Sequence, residues 1–201
     1  MLAAFEAAGR SFAGLVRDIP ATAWDGPGLG EWDLRSLVGH TARSLITVST
    51  YLQGTAERVD VATPADYYLL IRPYAAQVGA ADIVERGRQA GRDLGADPAA
   101  AVENLLERVL DDLSGQDDRI IAVIGGLGIR LYTYLPTRTF ELAVHSLDIA
   151  GALGGDITLP PAVAAEAAGL AAAIAATSGQ AEQVLLALTG RAALPPGFSV
   201  V

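Results

Sequence analysis

His40 and His145 are the only histidines of the chain, and there is no cysteine. A nitrogen-ligated metal centre would have to use these two imidazoles, while disulfides, thiolate metal sites and a protein thiol nucleophile are excluded together. Sulfur chemistry would have to come from a small-molecule thiol. Glu141 lies four residues before His145 in an apolar segment bounded by Pro136 and by Gly154-Gly155, which predicts a helix from 136 to about 153. Residues four apart stack on one helical stripe, so Glu141 and His145 point the same way. Phe140, Val144, Leu147 and Gly151 form a neighbouring face. His40 from a second helix would complete a two-histidine, one-carboxylate set of the kind that suits catalytic zinc with an open coordination position.

The same residues have a plainer reading, in which Glu141 and His145 are a helical ion pair and His40 is a hydrogen-bonded core residue. Asp148, three residues after His145, is either a helix-face carboxylate or a partner that orients the imidazole. Arg138, three residues before Glu141, either meets an anionic group of a substrate or pairs with a surface carboxylate. Trp24 and Trp32 read as packing anchors.

Helical periodicity marks the elements that must hold these side chains. Leu2, Phe5, Phe12, Leu15 and Val16 predict a first helix over 2–18, closed by Pro20. Trp24 to Trp32 is dense in turn formers and reads as an ordered loop. Asp33 caps a helix to about Gln53, with His40 on the flank of its apolar stripe. From Pro64 to Leu94 the pattern is helical but interrupted. Asp97-Pro98 opens a helix that ends near Ser114-Gly115. Residues 119–134 place two β-prone runs around glycines and predict a β-hairpin with Gly125, Gly126 and Gly128 at its turn. Helices over roughly 161–176 and 180–189 follow, the first read as buried, then a Pro- and Gly-containing tail from Leu194.

With 51% hydrophobic residues, 6% aromatics and an Ala/Leu/Val/Gly bias, the expected fold class is mainly α, a helical bundle in one main domain. The net charge of -9, with only 14 Lys+Arg, speaks against a nucleic-acid partner. The most apolar stretch, Ala162 to Ala176, contains Glu166 and is shorter than the about 20 apolar residues that a membrane span takes. No basic segment precedes an apolar run at the amino end. A cytoplasmic protein without a membrane partner is expected, with a homodimer as the default symmetric assembly.

The segment Trp24 to His40, WDGPGLGEWDLRSLVGH, resembles the amino-terminal signature of the mycothiol-dependent maleylpyruvate isomerase family, a Trp-containing loop leading into a helix with a metal-binding histidine. Leu135 to Ile149, LPTRTFELAVHSLDI, resembles the second signature, an Arg, then Glu and His four apart, then Asp. Leu185 to Val201 resembles the way many actinobacterial members end. The resemblance implies a DinB-like four-helix bundle with a short β-hairpin over 1–155, and a small helical C-terminal extension over 156–201. It further implies a divalent ion, zinc above nickel or manganese, held by His40, Glu141 and His145, with Arg138 as a catalytic candidate and mycothiol as thiol cosubstrate. The isomerases of the family carry a larger carboxy-terminal domain than the about fifty residues after Gly151 here. The expected reaction is therefore S-transfer to, or thiol-assisted isomerisation of, a small electrophile. The alternatives are a metal-dependent hydrolase and a metal- or small-molecule-binding module without turnover.

Overall fold

The computed structural model describes residues 1–201 apart from the side chains of residues 75–78 and 80. Its helices are α1 (Leu2–Arg17), α2 (Leu34–Tyr51), α3 (Pro64–Val78), α4 (Ala80–Asp93), α5 (Pro98–Leu113), α6 (Leu131–Ala152), α7 (Pro161–Thr177) and α8 (Ala181–Leu188); strands β1 (Ile120–Ala122) and β2 (Gly128–Arg130) precede α6. The fold is mainly α. Helix α1 packs on α6 and α5, and α2 packs on the same two, so these four close into a bundle. The apolar stripes anticipated from spacing fill it: Phe5 and Phe12 of α1, Leu37 and Leu45 of α2, Leu106 of α5, and Leu135 and Leu142 of α6 are all buried.

Local chemistry sets the helix ends. The Asp33 carboxylate accepts the Ser36 N–H at 2.7 Å and that of Asp97 accepts the Ala100 N–H at 3.0 Å, each satisfying a free donor of a first turn. Thr63 and Asp66 cap one another's backbone at the start of α3. Gly79, at φ 80°, breaks the interrupted 64–94 segment into α3 and α4. Helix α4 then lies tightly on α2 because two glycines meet: a methyl group on Gly39 would overlap the Gly91 backbone, and one on Gly91 would stand 2.8 Å from the Arg35 carbonyl oxygen. Only hydrogen fits at that crossing.

Three expectations are corrected. Helix α6 starts at Leu131, five residues ahead of Pro136, which lies inside it. Its first N–H groups are taken by the preceding chain: Leu131 donates to the Arg119 carbonyl at 2.9 Å and Tyr132 to the Asp118 carboxylate at 2.9 Å. The hairpin is correspondingly short, pairing Ile120 with Arg130, Ile121 with Ile129 and Ala122 with Gly128. Gly125 and Gly126, both at positive φ, make its turn, while Gly128 belongs to the second strand.

The Phe140-Val144-Leu147-Gly151 face leaves the core as it runs along α6. Phe140 is buried, but Leu147 is 49% exposed and Gly151 is exposed, because the buried stripe is carried by Leu135, Leu142, Ala143, Ser146 and Ile149. Helix α7 is buried along one side only, through Val163, Ala167, Leu170, Ile174 and Ala175. Ala162, Ala164, Ala165, Ala168, Ala173 and Ala176 face outward, where a methyl group exposes little apolar area and helix propensity favours it. The helix packs on α6, α3 and α1, and α8 packs on α7. Among the described residues no helix is long and apolar enough to cross a membrane.

Candidate metal centre

Helices α2 and α6 pack against each other and bring His40, Glu141 and His145 together: one ligand atom from each lies within 4.8 Å of the other two. The two imidazoles stand edge to face, ring centroids 5.1 Å apart at 84°. Glu141 and His145 share a stripe of α6, with His145 Nε2 3.4 Å from Glu141 Oε2. All three side chains are partly buried.

Each of the three is held from behind. His145 Nδ1 meets Asp148 Oδ2 at 2.9 Å, which fixes the ring and turns Nε2 toward Glu141. Glu141 Oε1 accepts the Tyr68 hydroxyl at 2.9 Å, while that hydroxyl also lies 3.1 Å from the Thr137 carbonyl. His40 packs on the Trp32 ring, centroids 4.4 Å apart at 32°. The indole N–H in turn donates to the Val84 carbonyl at 2.9 Å, and a methyl group on Gly87 would come within 2.5 Å of the indole. Trp32 is thus clamped between α4 and the imidazole.

Charge separates the three residues. Burial, reinforced by the nearby charge of His145, lowers the His40 pKa to about 4, so its nitrogens carry a free lone pair at neutral pH. Burial also works against a charged His145, but hydrogen bonds to Asp148 and Glu141 outweigh it and raise its pKa to about 9. For Glu141 burial favours the neutral acid, yet the bond to His145 and the Arg138 charge prevail and bring its pKa down to about 2. The bare site holds a proton on His145 and an ionised Glu141.

Two imidazole nitrogens and a carboxylate oxygen are a donor set for a divalent transition metal. The geometry fits such an ion: two donors at ordinary zinc bond lengths and a tetrahedral angle are about 3.4 Å apart, the separation found between His145 Nε2 and Glu141 Oε2. With Asp148 on Nδ1 and Tyr68 on Oε1, the atoms left over are the ones that face each other.

Arg138 lies half-buried one turn before Glu141. The surface-carboxylate reading does not hold for it, since among the described residues no carboxylate lies within ion-pair distance. Its guanidinium instead stands 5.4 Å from the Tyr67 ring centroid and 5.0 Å from that of Tyr134, and its Nε–H donates to Thr137 Oγ1 at 3.1 Å. It acts on the pKa values of both His40 and Glu141, which puts an anchored positive charge beside the three donors.

Sequence reasoning passed over Tyr68, Tyr67 and Tyr134, and gave Trp32 only a packing role. The adjacent tyrosines at 67 and 68 in an otherwise apolar run were the available signal for α3. No pattern along the chain shows that α3 faces α6 at Glu141.

A closed helical bundle with two histidines and a glutamate gathered between adjacent helices defines a bundle protein with an interior three-donor site. The chain belongs to the mycothiol maleylpyruvate isomerase N-terminal domain family, whose profile matches residues 5–150. That span takes in all three donors, Arg138 and Asp148. Neither the curated proteins nor the solved structures compared with the chain gave a match.

Proposed function

We propose that this protein is a metal-dependent enzyme that uses a low-molecular-weight thiol, mycothiol, for S-transfer to, or thiol-assisted isomerisation of, a small electrophilic substrate. The observation that carries this reading is the convergence of His40, Glu141 and His145 within 4.8 Å, in a chain that belongs to a mycothiol-linked family. These three residues would hold a divalent ion, with zinc the best match to the donor set. Bound there, the ion supplies the positive charge that stabilises a thiolate at neutral pH.

The chain's own residues supply the rest. Asp148 pairs with Nδ1 of His145 and would hold the proton there, so that Nε2 is the nitrogen left to give up its proton and coordinate the ion. Tyr68 occupies one oxygen of Glu141 and leaves the other free to coordinate. Trp32 covers one face of His40 and shields it from solvent. Arg138, held on two tyrosine rings, offers a fixed positive charge for a carboxylate of the substrate or for negative charge developing on a carbonyl oxygen. No cysteine is available to act as nucleophile, so the attacking sulfur belongs to the cosubstrate.

The test is turnover by zinc-loaded protein against a panel of small electrophiles, including cis-configured unsaturated diacids, with and without mycothiol. Consumption that requires both thiol and His145 is the expected result. Thiol-independent hydrolysis would replace this reading with that of a metal-dependent hydrolase, and thiol binding without turnover would replace it with that of a binding module.

A further inference from the structure

A groove of about 440 Å³ runs between α2, α4 and α5. Its α2 side is the stripe Gly39, Ala42, Arg43 and Ile46, next to the face that carries His40 to α6, and the Arg43 charge reaches His40. The close approach of Gly39 to the Gly91 backbone seats α4 against α2 at one end, and α5 closes the other side. Three arginines border it, Arg43 from α2, Arg86 from α4 and Arg108 from α5, around apolar walls made by Ile46, Leu94 and Leu105.

These arginines stand apart from the rest. All 14 basic residues of the chain are arginine, against 23 acidic ones, so carboxylate partners are plentiful. Other arginines take them, as Arg17 does with Glu103 at 2.9 Å; or donate to main-chain carbonyls, as Arg119 does to Gly54 at 3.1 Å; or lie on aromatic rings, as Arg138 does. Arg43, Arg86 and Arg108 have no hydrogen-bond or ion-pair partner among the described residues, and all three line the same groove. The one carboxylate in its lining, Asp93, is engaged by Gln89 Nε2 at 2.7 Å.

Three arginines bordering one groove, none of them paired with a carboxylate among the described residues, beside a wall of aliphatic side chains, are complementary to a molecule with an anionic head and a short apolar body. We propose that this groove is a second binding site, separate from the metal centre, for a small amphiphilic anion whose carboxylate or phosphate meets Arg43, Arg86 and Arg108 and whose alkyl portion lies on Ile46, Leu94 and Leu105. The groove volume lies in the ordinary range for small-molecule pockets. Guanidinium forks match both carboxylate and phosphate, so the shared feature is the anionic head.

Calorimetric titration of the full chain at low ionic strength with octanoate, octyl phosphate, octanol and inorganic phosphate tests this. Expected are one molecule of octanoate or octyl phosphate per chain, at least about tenfold weaker binding of octanol and of inorganic phosphate, and the same result after chelator treatment. The relative strength of the first two reports which head the groove prefers. The triple variant Arg43→Gln, Arg86→Gln, Arg108→Gln should lose binding by at least about tenfold, whereas Arg10→Gln, at an arginine paired with Glu6, should not. If the triple variant fails to fold, Arg108→Gln alone, an exposed position, serves in its place. Ile46→Ser should weaken the alkyl ligands and leave inorganic phosphate unchanged. Absence of binding, equal binding of octanol, equal binding of inorganic phosphate, or retention in the arginine variants would overturn the proposal. A metal-free protein that still binds octyl phosphate separates this site from the thiol chemistry, since either can fail without the other.

Discussion

The Tyr68 hydroxyl and Glu141 Oε1 are 2.9 Å apart, a contact that ties α3 to the middle of α6. Tyr68 is buried, and burial together with the Glu141 charge raises its pKa well above the ordinary tyrosine value. It therefore remains a hydrogen-bond donor throughout the working pH range and holds one carboxylate oxygen while the other faces His145. Removing it frees the carboxylate to rotate but leaves the ring packing intact.

Tyr68→Phe should accordingly weaken zinc binding by about tenfold or more, the usual cost of losing a group that orients a metal ligand, with helicity unchanged. Competition against a chromogenic chelator measures this. Unchanged affinity would mean that Glu141 is not positioned by Tyr68.

Trp32→Leu should have a comparable effect through the other helix, because it removes the face on which His40 rests. Gly87→Ala should act the same way with Trp32 and His40 both retained, since its methyl group would come within 2.5 Å of the indole and displace it from the imidazole. Metal affinity falling in both variants, with His145 and Glu141 untouched, is the expected pattern. A loss confined to thermal stability would make Trp32 a packing residue only.

Metal uptake at pH 7 should release close to one proton per chain. His145 is protonated in the bare site, with a pKa near 9, while His40 is already neutral and Glu141 already ionised. Zinc affinity should thus rise about tenfold per pH unit from moderately acidic pH and level off as pH passes 9. Titration calorimetry in buffers of different ionisation enthalpy counts the proton.

The same shifts set the pH dependence of the metal-free protein's stability. The His145 pKa is raised above its ordinary 6.5, so its contribution is complete below 6.5 and lost as pH rises through about 9. The His40 pKa is lowered, so stability is lost as pH falls from 6.5 through about 4. His145→Ala should abolish the alkaline loss and keep the acidic one; melting temperatures across pH, with the metal chelated, read out both.

Gly39→Ala should destabilise the fold by about 1–3 kcal/mol, the cost of overpacking a tight contact, because its methyl group meets main chain and not a flexible side chain. Urea denaturation measures this. A neutral substitution would show that α4 can lift off α2 without cost.

How far the chain could be read without coordinates follows from which interactions are local. Asp33 and Asp97 mark helix starts through contacts three residues away, and the i, i+4 relation of Glu141 and His145 is a property of one helix, so both were readable from spacing. The start of α6 was not, because it depends on Asp118 and Arg119 across the hairpin. Pro136 looked like a helix start, yet it sits inside a helix whose first turn is anchored elsewhere. Tyr68 on Glu141 and Trp32 on His40 span 73 residues and a fold-dependent stacking respectively. Periodicity does not encode such contacts.

The central claim is that His40, Glu141 and His145 form one metal site, and elemental analysis of protein purified without a histidine tag tests it most directly. The chain has no cysteine and no third histidine, so the two imidazoles cannot be replaced from within. Wild-type protein should carry close to one divalent ion per chain, and His145→Ala should lose it while retaining its circular dichroism, because the bundle is held by its apolar core. Wild-type protein that is metal-free and cannot be reconstituted with zinc, nickel or manganese would reduce Glu141 and His145 to a helical ion pair and contradict the account.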